Sequence, residues 1–231
     1  MNLPTSNGPQ NCPLCDSADH SSFFNNRYHR CHLCDLIFLL SKWQISPEEK
    51  NHRYAQHQNS LEDYGYRKFL SQIITPLSHY LFPNARGLDF GCGPGPTLSK
   101  MLQEQNCNMR IYDPLFFPDH DALKSKYDFV SCTEVVEHFE NPKNSWNLLA
   151  GLVLPGGILG VMTDIYNDNI DFKNWYYKND PTHVAFYSTK TFSWIATALK
   201  MEIKYQDERT IIFRLSPPDR QTCAPPMSHA L

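Results

Sequence analysis

Three sets of residues in this chain have the types and spacing to do chemistry. The first is Cys12-Pro-Leu-Cys15, followed after fifteen residues by Cys31-His-Leu-Cys34. Each C-x2-C pair bends through a tight knuckle and two knuckles complete a thiolate tetrahedron, so the pattern predicts a Zn²⁺ site. His29 and His32 stand near enough in sequence to replace a cysteine, but four thiolates need no substitute. The second set is Gly91-Cys92-Gly93-Pro94-Gly95, directly after the apolar run Leu88-Asp89-Phe90. Glycine at every second position lets a backbone pass close to a nucleotide-type ligand. The third set pairs carboxylates with imidazoles: Asp113, Glu134, Glu137, His138 and His183.

These side chains need elements to place them. Leu88–Phe90 reads as a buried strand, and Leu98, Met101 and Leu102 as one face of a helix over about 95–105. Met109–Tyr112 is the next strand. The spacing from Gly95 to Asp113 suits a ribose-binding carboxylate at the tip of the second strand of a βαβ unit. No GxxxxGK[ST] follows, and the GxGxxG spacing of the dinucleotide fingerprint is missed. Phe129–Cys132 is a further strand, and Thr133–Phe139 leaves its carboxyl end, where open α/β sheets collect ligands. Asn141-Pro142 caps a helix to about Val153, Pro155-Gly156-Gly157 turns into a strand over 158–163, and Ser188 caps another helix. A hairpin closes around Asp207-Glu208-Arg209. Upstream, Ser46-Pro47-Glu48-Glu49 is a capping box opening a helix to about His57. A second helix over about 64–82 carries an apolar stripe from Phe69 to Leu81, with a kink expected at Pro76. The long polar-aromatic connection 164–187 is expected to be a substrate lid.

The blocks DFGCGPG, YDP, YDFVSCTEVVEHF (127–139) and LPGGILGVMT (154–163) stand in this order. Together they resemble the class I S-adenosylmethionine-dependent methyltransferases over about residues 86–215. More loosely, the whole chain resembles bacterial methyltransferases that carry an N-terminal zinc ribbon, some of which act on sugars. The resemblance implies an α/β fold: a Rossmann-like sheet with helices on both faces. It implies a zinc-ribbon module over 1–45, a helical lid or linker over 46–85, the methyltransferase domain over 86–215 and a disordered tail over 216–231. The implied cofactor contacts are Asp89, Gly91, Cys92, Gly93, Pro94, Gly95, Asp113, Pro114, Thr133, Glu134 and Tyr66, with Tyr54, His57 and Asn59 as further lid candidates. The stretch between Asp113 and Asp128 is too short for the usual third strand and helix, so that strand is expected to be shortened or missing. Pro114, Leu115, Phe116 and Phe117 can sandwich the adenine ring or serve as core.

A sulfonium methyl donor is already activated, so the protein has to align the acceptor, exclude water and often take a proton. His183, His138 and Glu137 are the catalytic candidates, because imidazole titrates near neutrality. His138 fits equally a capping or core role, and Glu134 and Glu137 can position substrate or bond the cofactor. Cys92 between glycines is explained by its small size.

With 231 residues, the chain can bury one sizeable core plus a small accessory module. A net charge of −3 gives no polyanion-binding signature. No membrane span or signal sequence is apparent in this sequence, which suggests a cytoplasmic protein. Cys92, Cys107, Cys132 and Cys223 then read as reduced thiols. The favoured partner is a small polar acceptor, such as a sugar or sugar-nucleotide. RNA gripped by the ribbon is an alternative, with Phe23, Phe24, Arg27, Tyr28 and Arg30 as its aromatic-basic surface. A non-catalytic protein-binding module on a methyltransferase scaffold is another.

Overall fold

The computed structural model describes residues 10–56 and 60–217. His57, Asn59, Cys223 and nearly all of the expected disordered tail lie outside the described residues. The ribbon begins with β1 (His20–Phe24), β2 (Tyr28–Cys31) and β3 (Ile37–Leu39), an antiparallel meander. Then come α1 (Pro47–Tyr54) and α2 (Tyr64–Ser78). Ser46 and Glu49 cap α1 reciprocally, as the sequence predicts. Asp63 accepts from the Tyr66 amide at the start of α2, and Pro76 stands in that helix's last turn.

The main sheet is built from β4 (Arg86–Phe90), α3 (Thr97–Glu104), β5 (Asn108–Tyr112), β6 (Tyr127–Thr133), α4 (Pro142–Leu152) and β7 (Val153–Met162). After a long connection come β8 (Ala185–Phe186), α5 (Thr189–Ala198), β9 (Met201–Gln206) and β10 (Thr210–Leu215). Strand order is β5-β4-β6-β7-β10-β9. The first four run parallel, and β10 lies antiparallel to both its neighbours. Between β5 and β6 the described residues form no strand. A lone bridge from Asp113 to Phe117 and a single 3-10 turn, Ala122–Lys124, fill the space. The missing third strand follows from chain length, which leaves no room for a strand and a crossover helix.

Successive β6 side chains point to opposite faces, and the two cores divide accordingly. Phe129 packs with Leu70, Ile73 and Leu77 of α2 and Leu98 and Leu102 of α3. Val130 and Cys132 pack with Trp146 of α4, Phe192 and Ile195 of α5, and Leu14, Leu36 and Phe38 of the ribbon. The ribbon is therefore part of the main core. Its sheet is completed by β8, from far along the chain, with Ile37 opposite Phe186 and Phe38 opposite Ala185.

The connection 164–187 does not form the expected lid. Tyr166, Phe172, Trp175 and Tyr177 are buried and pack with Tyr28, Ile37, Leu39 and Phe186. Of this stretch, only His183 lines the central cavity. The rings that were expected to face a ligand are instead a third core, joining ribbon to sheet. Among the described residues, no helix is long and apolar enough to cross a membrane.

Candidate functional site

A cavity of about 660 Å³ opens at the carboxyl ends of β4, β5 and β6. The predicted residues Tyr66, Asp89, Gly91, Cys92, Gly93, Pro94, Gly95, Asp113, Pro114, Thr133, Glu134, Glu137, His138 and His183 all line it. They come from five separate stretches of sequence, and the fold brings them to one surface.

The glycine loop forms one end. Gly91 and Gly93 have φ of +76° and +63°, which L side chains rarely adopt. A Cβ on Gly91 would also stand 2.4 Å from Val135 Cγ2. Asp113 takes a role beyond the ribose contact expected of it. Its Oδ2 accepts from the Gly93 amide at 3.1 Å, and its Oδ1 from the Leu115 and Phe116 amides at 2.8 and 3.0 Å. The carboxylate thus latches the loop to the turn after β5 and retains lone pairs for a ligand. Leu115 and Phe116 line the cavity, whereas Phe117 does not.

Below the loop, Asp89 accepts from Ser131 Oγ at 3.1 Å. Burial pushes its carboxyl up to about 7 against that bond and one from the Ser99 backbone. Burial also raises the Cys92 thiol far above its ordinary value, which removes it as a nucleophile at neutral pH. No side chain caps the start of α3, and Thr97 Oγ1, which is buried there, has no hydrogen-bond partner. An uncapped helix N-terminus, an orphan hydroxyl and a glycine cradle fit the polar parts of S-adenosylmethionine (SAM).

The other end is made by the turn after β6 and the approach to β8. Glu137 is fully buried. Its Oε1 accepts from Tyr177 Oη at 2.5 Å and its Oε2 from Thr163 Oγ1 at 3.1 Å. Tyr177 also lies 3.1 Å from Glu134 Oε2, and Thr163 lies 2.9 Å from the Tyr177 hydroxyl. The two hydroxyls carry two protons for four contacts. Burial raises the pKa values of both Glu134 and Glu137, and the Glu137 charge adds to the rise at Glu134, so the carboxyl pair retains a proton that a separated pair would release. Glu134 sits at φ +52°, a strained conformation for its residue type, and Arg209 lies 3.5 Å from its Oε1.

Both histidines are oriented by the backbone. His183 Nδ1 donates to the Tyr177 carbonyl at 2.7 Å, and His138 Nδ1 to the Thr182 carbonyl at 3.1 Å. A carbonyl can only accept, so each Nδ1 carries a proton, and in the neutral His183 ring Nε2 carries the lone pair. The rings meet edge to face at 4.7 Å between centroids, and Tyr54 of α1 meets His138 at 5.4 Å. Burial, then the neighbouring His138, pushes His183 down to about 4, so it is neutral at pH 7. Sequence reasoning missed Asn51, which lines the cavity beside Tyr54. It also missed Tyr177 and Thr163 as partners of the carboxylates; nothing in the sequence marks them.

The ribbon connects to this end through backbone hydrogen bonds. Leu39 N donates to the Val184 carbonyl at 2.8 Å, and Val184 N donates to the Glu137 carbonyl at 2.8 Å. At its far side the four cysteines lie together, with Sγ separations of 3.5 Å for Cys12–Cys34 and 3.4 Å for Cys15–Cys31. Thiolates on a tetrahedral ion at ~2.3 Å would stand about 3.8 Å apart, so the four sulfurs fit zinc with a small relaxation.

Residues 61–203 match the methyltransferase domain family, more than half of the chain. A 74-residue stretch is 31% identical to the ubiquinone biosynthesis O-methyltransferase of Erwinia tasmaniensis, covering 32% of this chain and 30% of that protein. An O-methyltransferase family protein from Burkholderia thailandensis is similar in structure, with a TM-score of 0.50 at 15% identity over 73% of this chain and 63% of that one. Human N-acetylserotonin methyltransferase, solved with SAM, gives 0.51 at 14% identity over 64% and 51%. This chain therefore spans less than two thirds of each of these relatives, and the two structures share its fold. With the fold, the glycine loop and the family match in agreement, the chain belongs to the methyltransferase domain family.

Proposed function

We propose that this chain is a SAM-dependent methyltransferase acting on a small, hydroxyl-bearing polar acceptor, seated between the glycine loop and the Glu137–His138–His183 group. The observation that carries the reading is that one cavity of about 660 Å³ joins the two ends. That volume falls within the range of small-molecule sites, about 300–1,000 Å³. When bound, SAM supplies a methyl group already activated by the sulfonium. The chain's own residues do the rest. Gly91–Gly95 and the α3 terminus take the polar end of the cofactor, Asp113 a ribose hydroxyl, and Pro114, Leu115 and Phe116 the adenine. Tyr66, Thr133 and Glu134 close the wall toward the acceptor. His183, neutral and with its Nε2 lone pair fixed by the Tyr177 carbonyl, accepts a hydrogen bond or proton from the acceptor hydroxyl.

The Erwinia relative is an O-methyltransferase, which agrees with a hydroxyl acceptor. A sugar or sugar-nucleotide meets the same chemistry. Tyr166, Phe172, Trp175 and Tyr177 lend it no support, since they are buried away from the cavity. An RNA grip loses support as well. Arg30 is held by Asp35 and Asp168, and Arg27 lies over Trp43 at 5.0 Å. We assign the four cysteines a structural zinc, and the ribbon the task of bracing Glu137 and His183 through Val184.

The test is transfer of labelled methyl from SAM to a panel of phenols, catechols, sugars and sugar-nucleotides, with RNA alongside. Label in a small hydroxyl compound is expected. His183→Asn should cut turnover by about 10²-fold, the usual scale for a group that moves a proton, with calorimetric SAM affinity unchanged. Label appearing in RNA alone would overturn the acceptor class.

A further inference from the structure

We propose that Glu137, His138 and His183 form a divalent-cation site facing the cavity, where the cation holds an oxygen of the acceptor. The inference rests on the acceptor reading above and deepens it: a cation bound here takes the His183 Nε2 lone pair, so the acceptor hydroxyl is then activated by the cation in place of the direct hydrogen bond to His183.

The geometry comes first. A carboxylate oxygen of Glu137 and a ring nitrogen of each histidine lie within 4.8 Å of one another. Ligands about 2.1 Å from one ion stand roughly 3–4 Å apart, so closure requires only small side-chain movement. Glu137 and His183 are buried and His138 is half-buried, unlike the exposed acidic groups that gather without an ion.

The second observation is how the three groups are held. Metal-ligating imidazoles characteristically donate their other ring nitrogen to a carbonyl or carboxylate, which fixes the tautomer and turns a lone pair to the ion. Both imidazoles here do so, His183 to the Tyr177 carbonyl and His138 to the Thr182 carbonyl. The carboxylate has the matching support, with Tyr177 Oη and Thr163 Oγ1 donating to its two oxygens. Tyr177 thus supports two of the three ligands, one through its carbonyl and one through its hydroxyl. Val184 N, donating to the Glu137 carbonyl, ties the two strands of chain that supply them. Both rings line the cavity, and on both it is Nδ1 that the backbone holds.

The donor set then selects the ion. Two imidazoles and one carboxylate suit a first-row divalent cation and leave positions open for oxygen ligands, whereas Mg²⁺ prefers oxygen throughout. Glu134 lines the same cavity, and its Oε2 shares the Tyr177 hydroxyl with Glu137. A cation here would lower the pKa of a bound acceptor hydroxyl, as metals do for water.

The test uses the full chain with zinc retained on its cysteines, dialysed free of loosely held metal and titrated with Mn²⁺ alone. Free Mn²⁺ is followed by electron paramagnetic resonance. Uptake of one Mn²⁺ per chain is expected, weakened about tenfold or more in His183→Ala and in Glu137→Gln. SAM affinity by calorimetry on the same samples shows that each variant is folded, and His138→Gln replaces any that is not. No uptake by wild-type protein that binds SAM overturns the cation site and leaves the methyltransferase reading intact. Uptake unaffected by the variants overturns it too, by placing the ion elsewhere. Uptake sensitive to all the variants, in wild-type protein whose SAM turnover is on a non-hydroxyl acceptor, supports the site and overturns the acceptor reading.

Discussion

The aromatic junction under the ribbon and the floor of the cavity lie side by side, and they are built on opposite principles. In the junction, Phe172 touches six rings, from Phe23 at 5.0 Å to Tyr166 at 6.0 Å between centroids. Strand pairing between β3 and β8 satisfies the backbone beside it. The cavity floor buries carboxyls instead: Asp89 and Glu137 are almost wholly hidden. It also carries Glu134 at positive φ, and Thr97 Oγ1, Ser99 Oγ and Glu134 Oε1 are buried there without hydrogen-bond partners. The junction gains free energy by folding, and the floor spends some of it to keep polar groups ready for ligands. Stability and function thus sit in adjacent parts of the molecule that share Tyr177, which packs in the junction and donates to Glu137.

The largest effect should come from the sulfur site. Cys34→Ser removes one of four thiolates from a module with little core of its own. Folding stability should fall by about 4 kcal/mol or more, as loss of a metal site does. Zinc content and the urea midpoint are the measurements. Full stability without zinc would mean that the ribbon is held by its packing against α4 and α5 alone. Phe172→Ala comes next, at about 3–4 kcal/mol for an aromatic truncation in a packed cluster. SAM affinity in the folded variant should stay unchanged. A parallel loss of affinity would show that junction and floor are one unit.

How far these two regions could be read from sequence follows from how they are built. The glycine loop, the Ser46–Glu49 box and the Asn141 cap are made by residues within a few positions of one another, so type and spacing are enough. The absent third strand was legible from length alone. The junction was not legible, because residues 23–39 and 166–186 meet only through the tertiary fold. A polar-aromatic connection reads the same whether its rings face a ligand or another strand. β8 is two residues long, too short for any alternation. In the site, residue types named the carboxylates and imidazoles but not their partners. Tyr177 is one of several neighbouring aromatics, and its position between Glu134 and Glu137 depends on a turn that no local pattern specifies.

A smaller effect is expected at the latch between loop and β5. Asp113→Ala removes the acceptor from the Gly93, Leu115 and Phe116 amides and from any ribose hydroxyl. SAM binding should weaken by about 1.5–3 kcal/mol, the range for hydrogen bonds to charged groups. Calorimetry at pH 7 checks it. Unchanged affinity would leave Asp113 a purely local tie and remove the ribose contact from the reading of the cavity.

The smallest effect tests the division most directly, because it predicts that a substitution in the floor stabilises the fold. Burial raises the Asp89 carboxyl from 3.8 to about 7. Between those values the native state keeps a proton that the unfolded chain has released, so unfolding releases protons and stability falls as pH rises through that window. Above about pH 7 both states are ionised and the penalty is complete; below 3.8 both are protonated and it vanishes. Asn has the shape of the protonated acid, and its carbonyl can still accept from Ser131 Oγ. Asp89→Asn should therefore match wild type near pH 4 and exceed it by about 1–2 kcal/mol at pH 8. Urea unfolding of the ligand-free protein at the two pH values measures the difference. SAM should bind the variant more weakly, since a carboxylate facing the cavity can offer a cationic ligand a charge that an amide lacks. If Asp89→Asn is instead destabilised equally at both pH values, the carboxylate is a structural fixture of β4, and the floor is not where this fold gives up stability for binding.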